Sequence, residues 1–391
     1  MKSEAVSGVQ PKVIKWAREA TGLSLEDVAT RLKKPIAVVQ GWESGEAMPT
    51  YVQLETLAYE LYKRPLAIFF LPEPPQEKRP AHEFRSLPET DLESLAPNTR
   101  LHIRKAQAYQ VSLRQLYGDG NPSDTLISDV VSLSLNDSVE RQAIGLRKSL
   151  GITIERQAKW TSDEEALRNW RQIIEDAGVF VFKDSFKQKE ISGFCLQDQM
   201  FPIIYINNST TKTRQIFSLL HELAHLLFHV NGLSKFDKEY IEHLPITEQR
   251  IEVFCNAIAA EVLIPNADLE LQIRNLPKQL ESVPESVFSA LAKRYGVSRE
   301  AILRRFLNLG RVTKPFYEAK AKEWTQQMQK NSKGGNWLAS TGAYLSDRFL
   351  KEVITKHYRQ QINVEQAADL LGIKAKNFSG LEELVLKRVT A

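Results

Sequence analysis

Cysteine is nearly absent from this chain: 391 residues carry only two, Cys195 and Cys255. They form no C-x-x-C pair, which argues against a disulfide framework or a cysteine-built zinc site and leaves two ordinary buried thiols. Long apolar runs are missing too. No stretch approaches the roughly 20 residues of a membrane span, and the N-terminus lacks a secretory signal's order of charged, apolar and small residues. The cytoplasm is therefore the expected address, with no membrane partner. Excess charge is also scarce, since a net +4 at this length decides neither for nor against nucleic acid. Only the last stretch leans. Residues 311 to 391 hold 14 Lys and Arg against 8 Asp and Glu, an asymmetry mild enough for a solvated surface.

What is present is enough for several cores, with 42% apolar residues. From Pro11 to Phe70 the pattern predicts short helices: Pro11 to Thr21, Ser24 to Leu32, Pro35 to Ser44, Tyr51 to Tyr62 and Pro65 to Phe70. Ser24 with Asp27 three residues on reads as a cap, Gly22 and Gly45 follow helix ends, and Pro49-Thr50 opens the next helix. The Pro-rich run from Leu71 to Pro80 ends this region. Helices are then expected from Thr99 to Tyr117, near 126 to 150 and from 162 to 177. Three β-branched and aromatic runs follow, Val179 to Phe182, Ile191 to Leu196 and Pro202 to Ile206, which read as a small antiparallel sheet. Asn331 to Asn336 reads as a flexible linker.

After the sheet comes His221-Glu222-Leu223-Ala224-His225. Residues four apart lie one above the other on a helix, so two imidazoles at this spacing can grip one ion while Glu222 sits beside its open position as general base. A third ligand must come from elsewhere. The helical segment from Glu248 to Pro265 holds three carboxylates, of which Glu252 is the best placed, ahead of Glu248 and Glu261. Asn256, one turn on, suits the outer role of accepting the second N–H of a ligating histidine. His229 and His243, taken singly, are better read as satisfied core histidines, though His229 could also border the site without ligating.

The pattern Glu252-x-x-Cys255-Asn256-x-x-Ala259-Ala260-x-x-Leu263-x-Pro265, after Phe217 and the His221 to His229 run, resembles the ImmA/IrrE family of metallopeptidases. The resemblance spans roughly residues 160 to 310. It implies a zincin-like fold, zinc held by His221, His225 and Glu252, and hydrolysis with Glu222 as base; manganese or iron could stand in for zinc. Upstream, Gly22 to Leu32 followed by Val38, Val39, Trp42, Glu43, Gly45 and Pro49 resembles the XRE helix-turn-helix family, with Ala29 at the interhelical contact. Such a domain lays its second helix in the major groove. Lys33 and Lys34 are candidate phosphate contacts and Gln40 a candidate base contact. Ile36, Ala37 and Val38 leave protein docking open as an alternative.

Two further stretches, Val287 to Phe306 and Val364 to Lys374, have helix-Gly-turn-helix form. Helix packing is the favoured reading of both, with Arg294, Arg299, Arg304 and Arg305 making the first the better nucleic-acid candidate.

The expected fold class is α+β, mostly α. The expected domains are an all-α helix-turn-helix domain at 8–72, a Pro-rich linker at 73–98, a zinc metallopeptidase domain with a small antiparallel sheet at 99–310, and a C-terminal helical domain at 311–391. The expected function is that of a transcription-regulator-type zinc endopeptidase of gluzincin type that cuts one specific protein. It would bind DNA through its N-terminal domain and self-associate. The alternative is an antitoxin-like regulator that neutralises a partner toxin and represses its own promoter, with the zinc fold as scaffold.

Overall fold

Left-handed glycines and reciprocal caps set the helix joints of the N-terminal region. The computed structural model describes residues 4–75, 95–118, 120–186, 188, 190–230, 232–235, 238–328 and 344–389. It divides into two units, Met1–Lys105 and Ala106–Ala391. The first contains α1 (Pro11–Thr21), α2 (Leu25–Leu32), α3 (Ile36–Ser44) and α4 (Tyr51–Glu55), the last running on as a π turn over Thr56–Leu61. Ser24 Oγ accepts from the Asp27 N–H, and the Asp27 carboxylate accepts from the Ser24 N–H, each at 3.0 Å. A cap of this kind stabilises a helix start by about 1 kcal/mol. Gly22 at φ 78° and Gly45 at φ 83° close α1 and α3, a backbone turn that glycine makes without steric cost. Lys33 closes α2 in the same left-handed region, at φ 54°.

Val13, Ile14, Val28, Ala29, Val39, Trp42 and Leu54 form the core of this unit. Arg18 on α1 holds Glu43 on α3 through a two-pronged contact at 2.7 and 3.0 Å, the planar geometry for which guanidinium is suited.

The second unit is built on a four-stranded sheet in the order β1-β3-β2-β4, with β1 at Phe180–Asp184, β2 at Ile191–Leu196, β3 at Ile203–Asn207 and β4 at Leu233–Lys235. It is mixed, which corrects the expected antiparallel sheet. β2 pairs antiparallel with β3 and β4, but β1 pairs parallel with β3, Phe180 opposite Ile203. The cause is the order of the strands. The connection after β1 is long enough to pass β1's neighbouring lane, β2 and β3 then make a hairpin, and β3 drops into that lane running the same way as β1.

Alternation gives the sheet two different faces. Val181, Cys195, Ile204 and Ile206 join the core shared with the motif helix Lys212–Leu227 and the helix Asp163–Asp176. The opposite face is aromatic. Tyr205 stacks on Phe194 with ring centres 5.2 Å apart, and Phe182 stacks on Tyr109, from the helix Pro97–Tyr117, at 4.2 Å. Phe349, from the helix Asp347–Tyr358, meets Phe182 edge-on.

That last helix is fastened to the sheet by buried polar groups. Arg171 donates to the carbonyls of Val181 and Leu345 at 3.0 and 2.7 Å. Arg348 donates to the carbonyls of Glu175 and Pro122 at 2.7 and 2.6 Å. The C-terminal helices thus belong to the second unit. The expected linker at 331 to 336 and the second half of the Pro-rich run, 76 to 80, lie outside the described residues. No helix among the described residues is long and apolar enough to cross a membrane.

Candidate metal centre

The motif helix opens on Thr211, whose hydroxyl accepts from the Arg214 N–H, and runs sixteen residues to Leu227. Its apolar residues Ile216, Leu219, Leu223 and Ala224 fix its rotation against the core, so His221 and His225 share one face. The helix Ile246–Leu263 lies across it and brings Glu252 to that face. His221 Nε2 and His225 Nε2 are 3.1 Å apart. The Glu252 carboxylate closes the triangle, one oxygen 3.1 Å from His225 Nε2 and the other 3.3 Å from His221 Nε2. Among the described residues this is the His/Cys/Asp/Glu group whose ligand atoms converge enough to hold an ion.

These dimensions suit a small divalent cation. Three donors each roughly 2.0–2.1 Å from a tetrahedral zinc would stand about 3.3 Å from one another, close to the three observed edges. Burial would push the Glu252 carboxyl up, but the facing imidazoles of His225 and His221 outweigh it and hold it well below the usual carboxylate range. The group is therefore ionised, as a ligand must be.

Glu222 is fully buried beside the triangle, as is His221. Two glycines make room for it. A Cβ on Gly193 in β2 would lie 2.9 Å from the Tyr205 carbonyl and 3.4 Å from Glu222 Oε1. A Cβ on Gly232, just before β4, would lie 2.7 Å from the His225 ring and 3.1 Å from Glu222 Oε2. Gly232 is tied to β2 by donating to Cys195 Sγ at 3.2 Å and accepting from the Cys195 N–H at 2.9 Å.

Of the residues singled out from sequence, the structure brings together His221, Glu222, His225 and Glu252. Asn256 is not joined to them: it is half-buried and makes no hydrogen bond to either imidazole among the described residues. Cys255 takes that neighbourhood, its thiol lying against His225. Cys195 lies against Glu222. Burial pushes both thiols up, so they stay protonated. Sequence reasoning had set both aside as ordinary; the i, i+3 spacing from Glu252 was the available signal for Cys255.

Glu261 is engaged elsewhere, with Arg305 and the Asn266 N–H. His229, at φ 57° just past the helix end, and His243 are both exposed, which corrects their reading as core histidines. Lys33, Lys34 and Gln40 lie exposed at the turn and on α3 of the first unit.

Residues 174–307 match the family model of a peptidase family described as IrrE N-terminal-like domain, and residues 14–58 match one described as helix-turn-helix. The chain fuses a helix-turn-helix to a metallopeptidase-type domain. No curated protein matches it. The peptidase match contains the whole His221, His225 and Glu252 triangle, and the helix-turn-helix match contains α2 and α3 complete.

The second helix-turn-helix-shaped stretch behaves differently. Glu285–Tyr295 and Arg299–Asn308 meet at left-handed Gly296, and their arginines are committed inside the unit. Arg294 forks onto Asp268, Arg299 pairs with Glu285 and covers Trp324, Arg304 pairs with Glu300, and Arg305 pairs with Glu261. This arrangement is that of a packing device.

Proposed function

We propose that this protein is a regulator whose zinc site cuts one specific protein substrate. The observation that carries the reading is the buried His221, His225 and Glu252 triangle with Glu222 beside it, within a chain that also holds a DNA-binding fold. His221, His225 and Glu252 would hold zinc, which supplies Lewis acidity toward a scissile carbonyl when bound. Glu222 takes the proton of the attacking water and returns it to the leaving amine. Its burial keeps competing bulk water from that carboxylate, and the fixed backbones at Gly193 and Gly232 hold it in place. β4 is one of the sheet's two outer strands, and an extended substrate can add to such an edge by main-chain hydrogen bonds.

One observation favours a second reading, in which the fold is a scaffold for binding a partner toxin: His221 and Glu222 have no exposed surface. The experiment that separates the two is intact-mass spectrometry of the neighbouring gene's product after co-expression with wild type or Glu222→Gln. A peptidase yields a discrete truncation with wild type only, because loss of a general base costs about 10²- to 10⁴-fold in rate. An uncut partner that co-purifies with both forms supports the scaffold reading.

A further inference from the structure

The outward face of α3 offers a narrow chemistry. Its exposed residues are Ile36, Ala37, Gln40 and Ser44, which at about 100° per residue fall within a single arc of the helix. Val39, Gly41 and Trp42 point into the core. The face therefore carries two aliphatic side chains, one amide and one hydroxyl, and no charge. Immediately before it stand Lys33 and Lys34, both exposed and neither in an ion pair among the described residues. Their backbone is fixed by the turn: the Lys33 N–H donates to the Thr30 carbonyl at 3.1 Å and the Lys34 N–H to the Ala29 carbonyl at 2.9 Å.

Base pairs differ in what they ask of such a face. Guanine is read through O6 and N7 by the guanidinium of Arg or the ammonium of Lys. Adenine is read through N6 and N7 by a side-chain amide, and thymine carries a methyl that apolar side chains cover. The face of α3 lacks the cation that guanine needs and holds what adenine and thymine need. In this motif the start of the second helix meets the base edges, where Ile36 and Ala37 stand, with Gln40 one turn on.

We propose that α3 reads A·T pairs in the major groove, Gln40 bonding an adenine through N6 and N7 and Ile36 and Ala37 packing on thymine methyls, with Lys33 and Lys34 on phosphates. This rests on the DNA-binding role of the helix-turn-helix and goes beyond it by naming the bases. With two lysines as the main phosphate contacts, the salt dependence of binding is shallow, because few counterions are released.

The test uses the full chain. Sites are selected in vitro from a random duplex library at low salt, and affinities for the selected duplex are read by fluorescence anisotropy. A·T pairs are expected at the contacted positions. Replacing a contacted thymine by uracil, which removes only the methyl, should weaken binding about fourfold, and Ile36→Ser should abolish that sensitivity at the thymine that Ile36 covers. Replacing the contacted adenine by 7-deaza-adenine should weaken wild type about tenfold or more and leave Gln40→Ala unchanged. Selection of G·C pairs there, or uracil and 7-deaza duplexes that bind as well as their parents, overturns the proposal while sparing the DNA-binding reading. Failure to select any sequence overturns both.

Discussion

A single methyl at position 232 is the smallest change that should disturb the metal centre. The Cβ of Gly232→Ala would stand 2.7 Å from the His225 ring, and the carbon cannot retreat because the Gly232 backbone is bonded in both directions to Cys195. Its effect should be to tilt the imidazole. Zinc affinity is expected to fall by about ten- to hundredfold, the range seen when groups that orient a ligand are changed, with little change in helical content. Competition against a chromophoric chelator measures the affinity, and unchanged zinc binding would show that β4 moves more easily than its bonds suggest. At this scale the sequence pointed to the residues that gather here and said little about their surroundings. His221, Glu222 and His225 follow from spacing along one helix, and Glu252 from a pattern that left Glu248 and Glu261 open until the family resemblance chose among them. Asn256 was assigned an orienting role that belongs to neither imidazole here, since one residue of helical rotation separates it from Cys255. Gly193 and Gly232 could not be read at all, because their importance arises from strands and a helix brought together only in three dimensions.

Glu175 belongs to the scale of elements, because its carboxyl joins three of them. It ends the helix Asp163–Asp176, accepts from the Val181 N–H of β1 at 3.4 Å and accepts from the Arg348 N–H at the start of the helix Asp347–Tyr358 at 3.3 Å. Burial pushes it up to about 7 despite Arg171 nearby. An acid raised above its unfolded value of about 4.3 stabilises the fold fully below that value, and the contribution is lost as pH rises through the folded one. Wild type should therefore lose about 2 kcal/mol between pH 5.5 and 8 from this group alone. Glu175→Gln, which keeps an amide oxygen for both N–H donors, should flatten the dependence. Urea unfolding at the two pH values decides it; equal slopes for both proteins would exclude Glu175 as the source. Element boundaries were largely legible from sequence, since Gly22, Gly45 and the Ser24 cap mark chain geometry directly. Sheet order was not. Alternating β-branched runs identify strands but carry no record of which lane each takes, and the three-residue β4 is too short for its pattern to register.

At the scale of the whole molecule, the basic residues singled out as nucleic-acid candidates divide into those that are spent and those that are not. Arg294, Arg299, Arg304 and Arg305 all face carboxylates inside the second unit, whereas Lys33 and Lys34 of the first unit are uncommitted. Nucleic-acid affinity should accordingly not depend on these four arginines. Arg299→Ala combined with Arg304→Ala should leave duplex affinity within about twofold of wild type while costing about 1 kcal/mol of stability or less, as expected of partly exposed ion pairs. Anisotropy titrations of the two proteins check this, and a large loss of affinity would give the second unit a nucleic-acid surface of its own.

The two thiols are the protein's only ones, and both lie against the candidate metal centre, Cys195 on Glu222 and Cys255 on His225. Each is buried. The molecule thus carries a built-in clock. A thiol reagent can react only when this region parts, so the labelling rate should saturate with reagent concentration at the frequency of that opening, and bound zinc, which fastens the two helices together, should slow it.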